Sequence, residues 1–144
     1  MNPMLTKLKE MRELDGAVRT IGLPDAVIER FAATDAALVE AIDEAYAAHL
    51  ALSSCMPDFL RLDEAEQIRK VQADFVNFYP EDGVNPYVAL AAHGPWLITL
   101  KGAVIYDAGG YGMLGFGHAP KAILNVMARP QVMERLTLTD AAGA

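Results

Sequence analysis

The chain has few basic residues and a single cysteine among its 144 residues. One cysteine, Cys55, excludes an intrachain disulfide and a cysteine-based metal cluster. No basic group flanks this thiol, which predicts a buried and inert side chain rather than a nucleophile. The 12 Lys and Arg residues against 19 Asp and Glu residues give a net charge of −7. Because phosphate backbones are bound by clustered positive charge, which is missing here, we expect no nucleic-acid partner.

Long apolar runs are missing as well. Residues 45–52 are one of the longest apolar stretches, but His49 interrupts them and they fall far short of the about 20 residues of a membrane helix. The amino terminus, residues 1–13, is charged and lacks the apolar region of a secretory signal. These absences predict a cytoplasmic protein without a membrane partner.

The composition, 53% hydrophobic and 22% charged, is that of a globular protein, and helical periodicity dominates the first 60 residues. Residues 4–14 predict a first helix, which Gly16 stops, and a second predicted helix follows Pro24. Residues 35–57 predict a third helix with apolar residues on one face. That face is rich in alanine, which would let a neighbour approach closely: Ala37, Ala41 and Ala48.

A fourth helix is predicted to follow Asp63. Asp63 and Glu66 have the spacing of a capping box, in which each side chain accepts a backbone N–H of the first turn. The helix should end near Tyr79 and Pro80. Apolar residues at intervals of three and four form a stripe along it: Ile68, Val71, Phe75 and Phe78.

Two strands, residues 96–100 and 103–107, form the only predicted sheet. Lys101 and Gly102 suit a tight turn between them, and this places Lys101 on the solvated surface. A glycine-rich loop and a helix over residues 120–128 follow. The predicted fold class is therefore α+β, with N-terminal helices followed by a small antiparallel hairpin, the loop and a helix. Because a two-stranded sheet is marginal in water, the hairpin suggests a piece of something larger.

The glycine-rich loop has two interpretations from its own residues. Gly110, Gly112 and Gly115 spell G-x-G-x-x-G directly after a strand, which is the fingerprint of a dinucleotide site. In that case Asp140 would bind the ribose. However, the fingerprint has a helix that begins inside the motif and a parallel strand, whereas here the helix begins only at Pro120 and the hairpin is antiparallel. The alternative is a structural loop that needs glycine conformations.

A second pattern covers the same stretch. Residues 94–107 match a hairpin of the form G-x-x-[IVL]-x-[DT]-x-x-G-x-x-[YI]-x-D, and residues 115–120 follow as G-F-G-H-A-P before a helix. This order resembles the N-terminal segment of class III aminotransferases, the fold-type I enzymes that use pyridoxal phosphate. The resemblance covers about residues 60–133, half of the chain. It departs from the family where the trio L-G-H is altered to the G-F-G-H of residues 115–118.

The resemblance implies a fold like the N-terminal part of a fold-type I aminotransferase. In the intact family an amino group passes from an amine or amino acid to a keto acid. The resemblance further implies that Gly110, Tyr111 and Gly112 line the substrate pocket. It divides the chain into a helical extension, an aminotransferase N-terminal segment and a tail: residues 1–60, 61–133 and 134–144.

Pyridoxal phosphate chemistry requires a lysine that forms a Schiff base, an acid at the pyridine nitrogen and donors for the phosphate. In the family these groups come from the large domain, downstream of the glycine loop, and we expect that domain to be missing from this chain. None of the lysines has the context of a cofactor lysine: Lys7, Lys9, Lys70, Lys101 and Lys121. The resemblance therefore implies no bound cofactor and no catalytic residue in the chain alone, and either a homodimer or docking with a large-domain chain.

Other polar residues have structural interpretations. His118, which stands two residues before a proline, is expected to position the backbone rather than to act as a general base. Asp107 should bind N–H groups of the loop. His49 and His93 lack an acidic or cysteine partner at ligand spacing, so no metal site is predicted. The alternative to an enzyme segment is a non-catalytic interaction module that dimerises or docks through its alanine-rich helix face and its hairpin.

Overall fold

Six helices and one three-stranded antiparallel sheet make up residues 2–73, 86–108 and 115–129, the part of the chain that the computed structural model describes. The helices are α1 (Pro3–Arg12), α2 (Asp25–Ala32), α3 (Ala36–Cys55), α4 (Pro57–Leu60), α5 (Glu64–Gln72) and α6 (Lys121–Met127). The strands are β1 (Ala89–His93), β2 (Trp96–Thr99) and β3 (Val104–Tyr106). The predicted α+β class is confirmed. Within these ranges no helix combines the length and the apolar character that crossing a membrane requires.

Helix α1 begins and ends close to its predicted limits. Asn2 caps it, because the side-chain Oδ1 accepts a hydrogen bond from the backbone N–H of Met4 at 3.0 Å. The helix ends at Arg12, and Gly16 then adopts a φ of +98°, so the predicted stop is confirmed. The buried face of α1 is made by Leu5, Leu8 and Met11.

Helix α3 is the centre of the fold and contacts α1, α2, α4, β1 and β2. Asp35 joins its start to the sheet: one carboxylate oxygen accepts the backbone N–H of Ala37 at 3.0 Å, and the other accepts the indole N–H of Trp96 at 2.8 Å. The buried face agrees with the predicted one and consists of Leu38, Ala41, Ile42, Ala45 and His49. The alanine-rich face is therefore covered in part by the chain itself.

The sheet has one strand more than the predicted hairpin. β1 pairs with β2 in antiparallel register, with Ala92 opposite Leu97, and β2 pairs with β3, with Leu97 opposite Ile105. Strand β1, with the sequence Ala-Leu-Ala-Ala-His, was not predicted because alanine has a low strand propensity and the register shifts after Ala89. This third strand supplies the partner that an isolated hairpin lacks.

One hydrophobic core joins α1, α2 and α3 to the sheet. The side chain of Trp96 is 1% exposed, and its ring lies 5.3 Å from that of Phe31 and 5.1 Å from that of Tyr106, centroid to centroid. The buried members of the core are Leu5, Leu8, Met11, Ile28, Leu38, Ala41, Ile42, Ala45, Ala91, Trp96, Ile98 and Val104. The helical extension and the sheet thus share one core.

Lys101 is buried, and its predicted place on the solvated surface is wrong. Only 3% of the residue is exposed. Its Nζ donates hydrogen bonds to the carbonyl oxygen of Asp15 at 2.7 Å and to that of Leu60 at 3.0 Å. Burial lowers the pKa of Lys101, against the opposing effect of three nearby carboxylates. Because Leu60 is the last residue of α4, this turn ties the sheet to the end of that helix.

The predicted capping box at α5 is also wrong. The side chain of Asp63 makes no capping hydrogen bond, because its Oδ1 accepts the backbone N–H of Ala17 at 2.7 Å instead. Val71 of the predicted apolar stripe is 42% exposed. The predicted end of this helix near Tyr79 and Pro80 lies outside the described residues.

Cys55 is exposed, so the prediction of a buried thiol is wrong as well. Cys55 is the last residue of α3 and stands six residues after the buried His49. Six residues correspond to a rotation of about 240° around a helix, which takes the thiol away from the buried face.

Candidate functional site

The two ends of the glycine-rich loop are held at one place in the fold, the turn between β1 and β2. At the end of β3 the backbone N–H of Asp107 donates to the carbonyl oxygen of Pro95 at 2.7 Å. Eleven residues later His118 forms an isolated antiparallel bridge with Gly94. Its two hydrogen bonds measure 2.7 Å from the His118 N–H and 3.0 Å from the Gly94 N–H. Residues 107 and 118 are therefore both fixed to adjacent residues of one turn, and we call this arrangement the loop neck.

A side-chain contact closes the loop neck. The Nε2 atom of His118 lies 2.9 Å from Oδ2 of Asp107, and the two side chains are 17% and 19% exposed. A carboxylate that accepts a hydrogen bond from one ring nitrogen fixes the orientation of the imidazole. Both residues make further interactions. The pair is thus a partly buried polar contact between the end of β3 and the approach to α6.

The bridge requires glycine on both sides. Gly117 has a φ of +67°, and a Cβ atom at this position would lie 2.9 Å from the backbone of Gly94. Gly94 itself has a φ of +54°. Ala119, the residue after the bridge, has a φ of +46°, a conformation that residues other than glycine rarely adopt. Ala119 therefore carries backbone strain at the point where the loop returns to the sheet.

An open cleft lies beside the loop neck. Its volume is about 390 Å³, and its described lining includes Gly94, Asp107, Gly115 and His118. Two aromatic residues also line it, Tyr106 at 53% exposure and Phe116 at 59% exposure. The cleft thus combines a carboxylate and an imidazole with apolar rings, which suits a small polar molecule that has an apolar part.

The structure describes only some of the residues that the sequence analysis singled out around the glycine-rich loop. Gly110, Tyr111 and Gly112 lie outside the described residues. The main chain of His118 forms the bridge to Gly94, and a positioning role of its side chain stays a prediction. Its contact with Asp107 was not predicted, and the only signal for it was an acidic and a basic residue that flank one glycine-rich segment.

The lysines in the described part of the chain do not fit covalent attachment of pyridoxal phosphate. Lys7 pairs with Asp43 at 2.7 Å and Lys121 pairs with Glu40 at 2.8 Å. Lys101 is buried, but two carbonyl oxygens hold its Nζ. None of the described lysines lines the cleft at the loop neck. The chain's own residues therefore do not offer a Schiff-base lysine at this site.

The two other histidines differ in their surroundings. His93 has acidic partners that the sequence spacing did not predict: its Nε2 hydrogen-bonds with Glu44, and its Nδ1 lies 3.9 Å from Glu40. Both glutamates come from α3, so the partners are distant in sequence. His49 is buried, and burial lowers its pKa. Among the described residues no group of three or more His, Cys, Asp or Glu side chains could hold a metal ion.

The geometry of β3 bears on the dinucleotide interpretation. β3 is antiparallel to β2, and α6 begins at Lys121, six residues after Gly115. A dinucleotide fingerprint instead joins a parallel strand to a helix that starts within the motif. Comparison of the chain with protein-family models, curated proteins and solved structures finds no match. The functional interpretation therefore depends on the geometry of the loop neck and its cleft.

Proposed function

We propose that this chain is the N-terminal segment of a class III, pyridoxal phosphate-dependent aminotransferase-like protein. In this proposal it supplies one wall of a substrate pocket for an amine or amino acid, and a large-domain chain supplies the cofactor and its lysine. The chain alone does not transaminate.

The loop neck is the observation that carries this proposal. The loop neck fixes the points at which the glycine-rich loop leaves β3 and returns to the sheet, and fixed attachment points suit a segment that contributes to a substrate pocket. In the sequence, Gly110, Tyr111 and Gly112 lie between these two attachment points. The order of hairpin, loop and helix, with Asp107 and His118 in contact at the base, supports the assignment to the aminotransferase segment.

The environments of the lysines support the proposed inactivity of the chain alone. A Schiff-base lysine needs a desolvated and accessible amine. Lys7 and Lys121 are paired on the surface, and Lys101 is enclosed by backbone carbonyl oxygens. The proposed partner is therefore a polypeptide that brings its own lysine and phosphate-binding donors to the cleft.

The inactivity is tested with pyridoxal phosphate and borohydride. The purified chain is mixed with equimolar pyridoxal phosphate, reduced, digested and examined by mass spectrometry, in the native state and in urea. We expect weak labelling that is spread over several lysines and is no stronger in the native chain than in the unfolded one. One lysine labelled selectively in the native state would contradict the proposal.

The partnership is tested by complementation. The chain is mixed with the isolated large domain of a class III aminotransferase, and amino transfer from an amine to pyruvate is followed. We expect activity that neither chain has alone. A Gly117→Val chain should restore much less activity, because a side chain there meets the backbone of Gly94, whereas a Gly115→Ala chain has open space at the substituted position. Absence of both complex formation and activity would refute the proposed partner.

A non-catalytic interaction module is the second candidate, and α6 favours it. This helix buries none of its residues, and Leu124, Val126 and Met127 are about half exposed. An isolated chain that light scattering finds as a monodisperse dimer, and that gives no activity on complementation, would support this candidate.

The dinucleotide site at Gly110, Gly112 and Gly115 stays a prediction, which saturable binding of a dinucleotide would support.

A further inference from the structure

A second cleft lies between the extended segment that precedes α2 and one face of α5. Its volume is about 580 Å³, which is within the range of small-molecule sites. We call it the arginine cleft, and its described lining includes Arg19, Thr20, Ala65, Ile68, Arg69 and Tyr87. None of these residues belongs to the cleft at the loop neck.

A buried carboxylate fixes one wall of the arginine cleft. Glu64 is 1% exposed, and its Oε2 accepts the backbone N–H of Arg19 at 2.6 Å and that of Thr20 at 2.8 Å. Charge-assisted hydrogen bonds of this kind are the strong ones in proteins. The Thr20 hydroxyl also donates to the carbonyl oxygen of Pro86 at 3.4 Å. The backbone from which the Arg19 side chain projects is thus held in place.

Two arginines, Arg19 and Arg69, line this cleft in a chain with a net charge of −7. Arg69 lies 3.9 Å from Glu66 on the same helix, and its side chain is 73% exposed. Such an exposed pair holds its partners only weakly. For Arg19, no carboxylate of residues 2–73, 86–108 or 115–129 forms an ion pair with the guanidinium. Both positive groups are therefore available to an anion.

The arginine cleft also has apolar residues in its lining. Ala65 and Ile68 are three residues apart on α5, so they share one face of that helix, and both are half-buried. Tyr87 adds an aromatic ring to the lining. Two arginines together with apolar and aromatic lining residues match a molecule with an acidic group and a flat apolar body.

We propose that the arginine cleft binds a small organic acid, with the carboxylate between Arg19 and Arg69 and the apolar body against Ile68 and Tyr87. The planar fork of arginine donates two parallel hydrogen bonds to a carboxylate, which gives direction as well as charge. This site is independent of the proposed aminotransferase function, because it shares no residue with the loop neck.

The proposal is tested with three matched probes. The isotopically labelled chain is titrated with benzoate, acetate and benzyl alcohol, and the amide signals of Thr20 and Ile68 are followed by nuclear magnetic resonance. We expect saturable shifts with benzoate and binding at least about tenfold weaker for acetate, which lacks the ring, and for benzyl alcohol, which lacks the charge. No saturable shift with benzoate, or equal binding of benzyl alcohol, would overturn the proposal.

Arginine variants give the control. Arg19→Gln and Arg69→Gln should each weaken benzoate binding about three- to tenfold. Arg30→Gln removes the same charge from α2, where the guanidinium lies 5.4 Å from the Phe31 ring, and should leave binding unchanged. Because Arg69 is exposed on a helix face, its variant should fold even if the Arg19 variant does not. Equal weakening in all three variants, or tighter binding of inorganic phosphate than of benzoate, would reject an organic-acid site.

Discussion

Helices α3 and α6 use their apolar residues differently. The 20 residues of α3 bury five side chains against α1 and the sheet. The seven residues of α6 bury none, and Leu124, Val126 and Met127 stay about half exposed. Near its start, α6 is joined to the rest of the fold by the bridge of His118 and by the ion pair of Lys121 with Glu40.

The difference separates what stabilises the chain from what it presents to a partner. A helix of seven residues is too short to be stable in water by propensity alone, so α6 depends on its attachments. Apolar burial, in contrast, is concentrated in α1, α2, α3 and the sheet. We therefore expect changes in the first region to alter global stability and the same changes near α6 to alter association.

The largest difference is expected between two leucines. Leu38→Ala removes a fully buried side chain from α3 and should lower the free energy of unfolding by about 2–5 kcal/mol, because it leaves a cavity. Leu124→Ala, at 50% exposure on α6, should change it by less than about 0.5 kcal/mol. Urea unfolding followed by circular dichroism measures both. Similar losses would mean that α6 is packed as tightly as α3.

Two glycines with positive φ give the next comparison. Gly16→Ala and Gly115→Ala should each lower the free energy of unfolding by about 1–2 kcal/mol, because alanine is strained in a left-handed backbone conformation. A Cβ at residue 16 would also lie 2.7 Å from the carbonyl oxygen of Arg61, which adds about 1–3 kcal/mol of overlap, whereas residue 115 has open space. The midpoint temperature of thermal unfolding should therefore be clearly lower for Gly16→Ala than for Gly115→Ala. The reverse ranking would contradict the tight approach at residue 16.

Sequence periodicity was sufficient where burial is local and failed where contacts are distant. The buried face of α3 follows from residues three and four apart, and it was predicted correctly. β1 was missed because its alanines become a strand only by pairing with β2. Lys101 was misplaced because its carbonyl partners, on Asp15 and Leu60, lie 86 and 41 residues away in the chain.

The candidate site shows the same limit. The glycine-rich loop and its polar flanks could be recognised in the sequence. The loop neck could not, because the bridge joins His118 to Gly94 across the whole hairpin and depends on how β1 turns into β2. Hydrogen bonds over such separations leave no periodic signal in a single sequence.

Two lysines extend the comparison to polar groups. Lys101→Met should lower the free energy of unfolding by about 1–3 kcal/mol, because the carbonyl oxygens of Asp15 and Leu60 lose their donor inside the fold. Lys121→Met removes an exposed ion pair with Glu40 and should leave global stability nearly unchanged. Denaturant unfolding of the two variants at neutral pH tests this order. If Lys101→Met loses no more free energy of unfolding than Lys121→Met does, water hydrogen-bonds the two carbonyl oxygens as well as the buried amine does.

The smallest expected effect is a pH dependence that originates in the buried region. Burial lowers the pKa of His49 from its ordinary value of 6.5, and the carboxylate of Glu10 opposes this only in part. Between the lowered pKa and 6.5 the unfolded chain binds more protons at His49 than the folded chain does. Since stability rises with pH wherever the unfolded state binds more protons, this histidine makes the fold less stable as the pH falls through that window. Above 6.5 both states are neutral at His49, and its contribution no longer changes.

His49→Leu should therefore reduce the loss of stability between about pH 7.5 and about pH 5.5, as measured by urea unfolding at both values. His93→Gln is the matched control, because it removes a histidine beside Glu44 at the surface of α3 and keeps His49. If the loss of stability on acidification is as large in the His49→Leu chain as in the parent chain, the buried imidazole is not its source. If it shrinks only in His93→Gln, the pH dependence belongs to the contact between β1 and α3 instead.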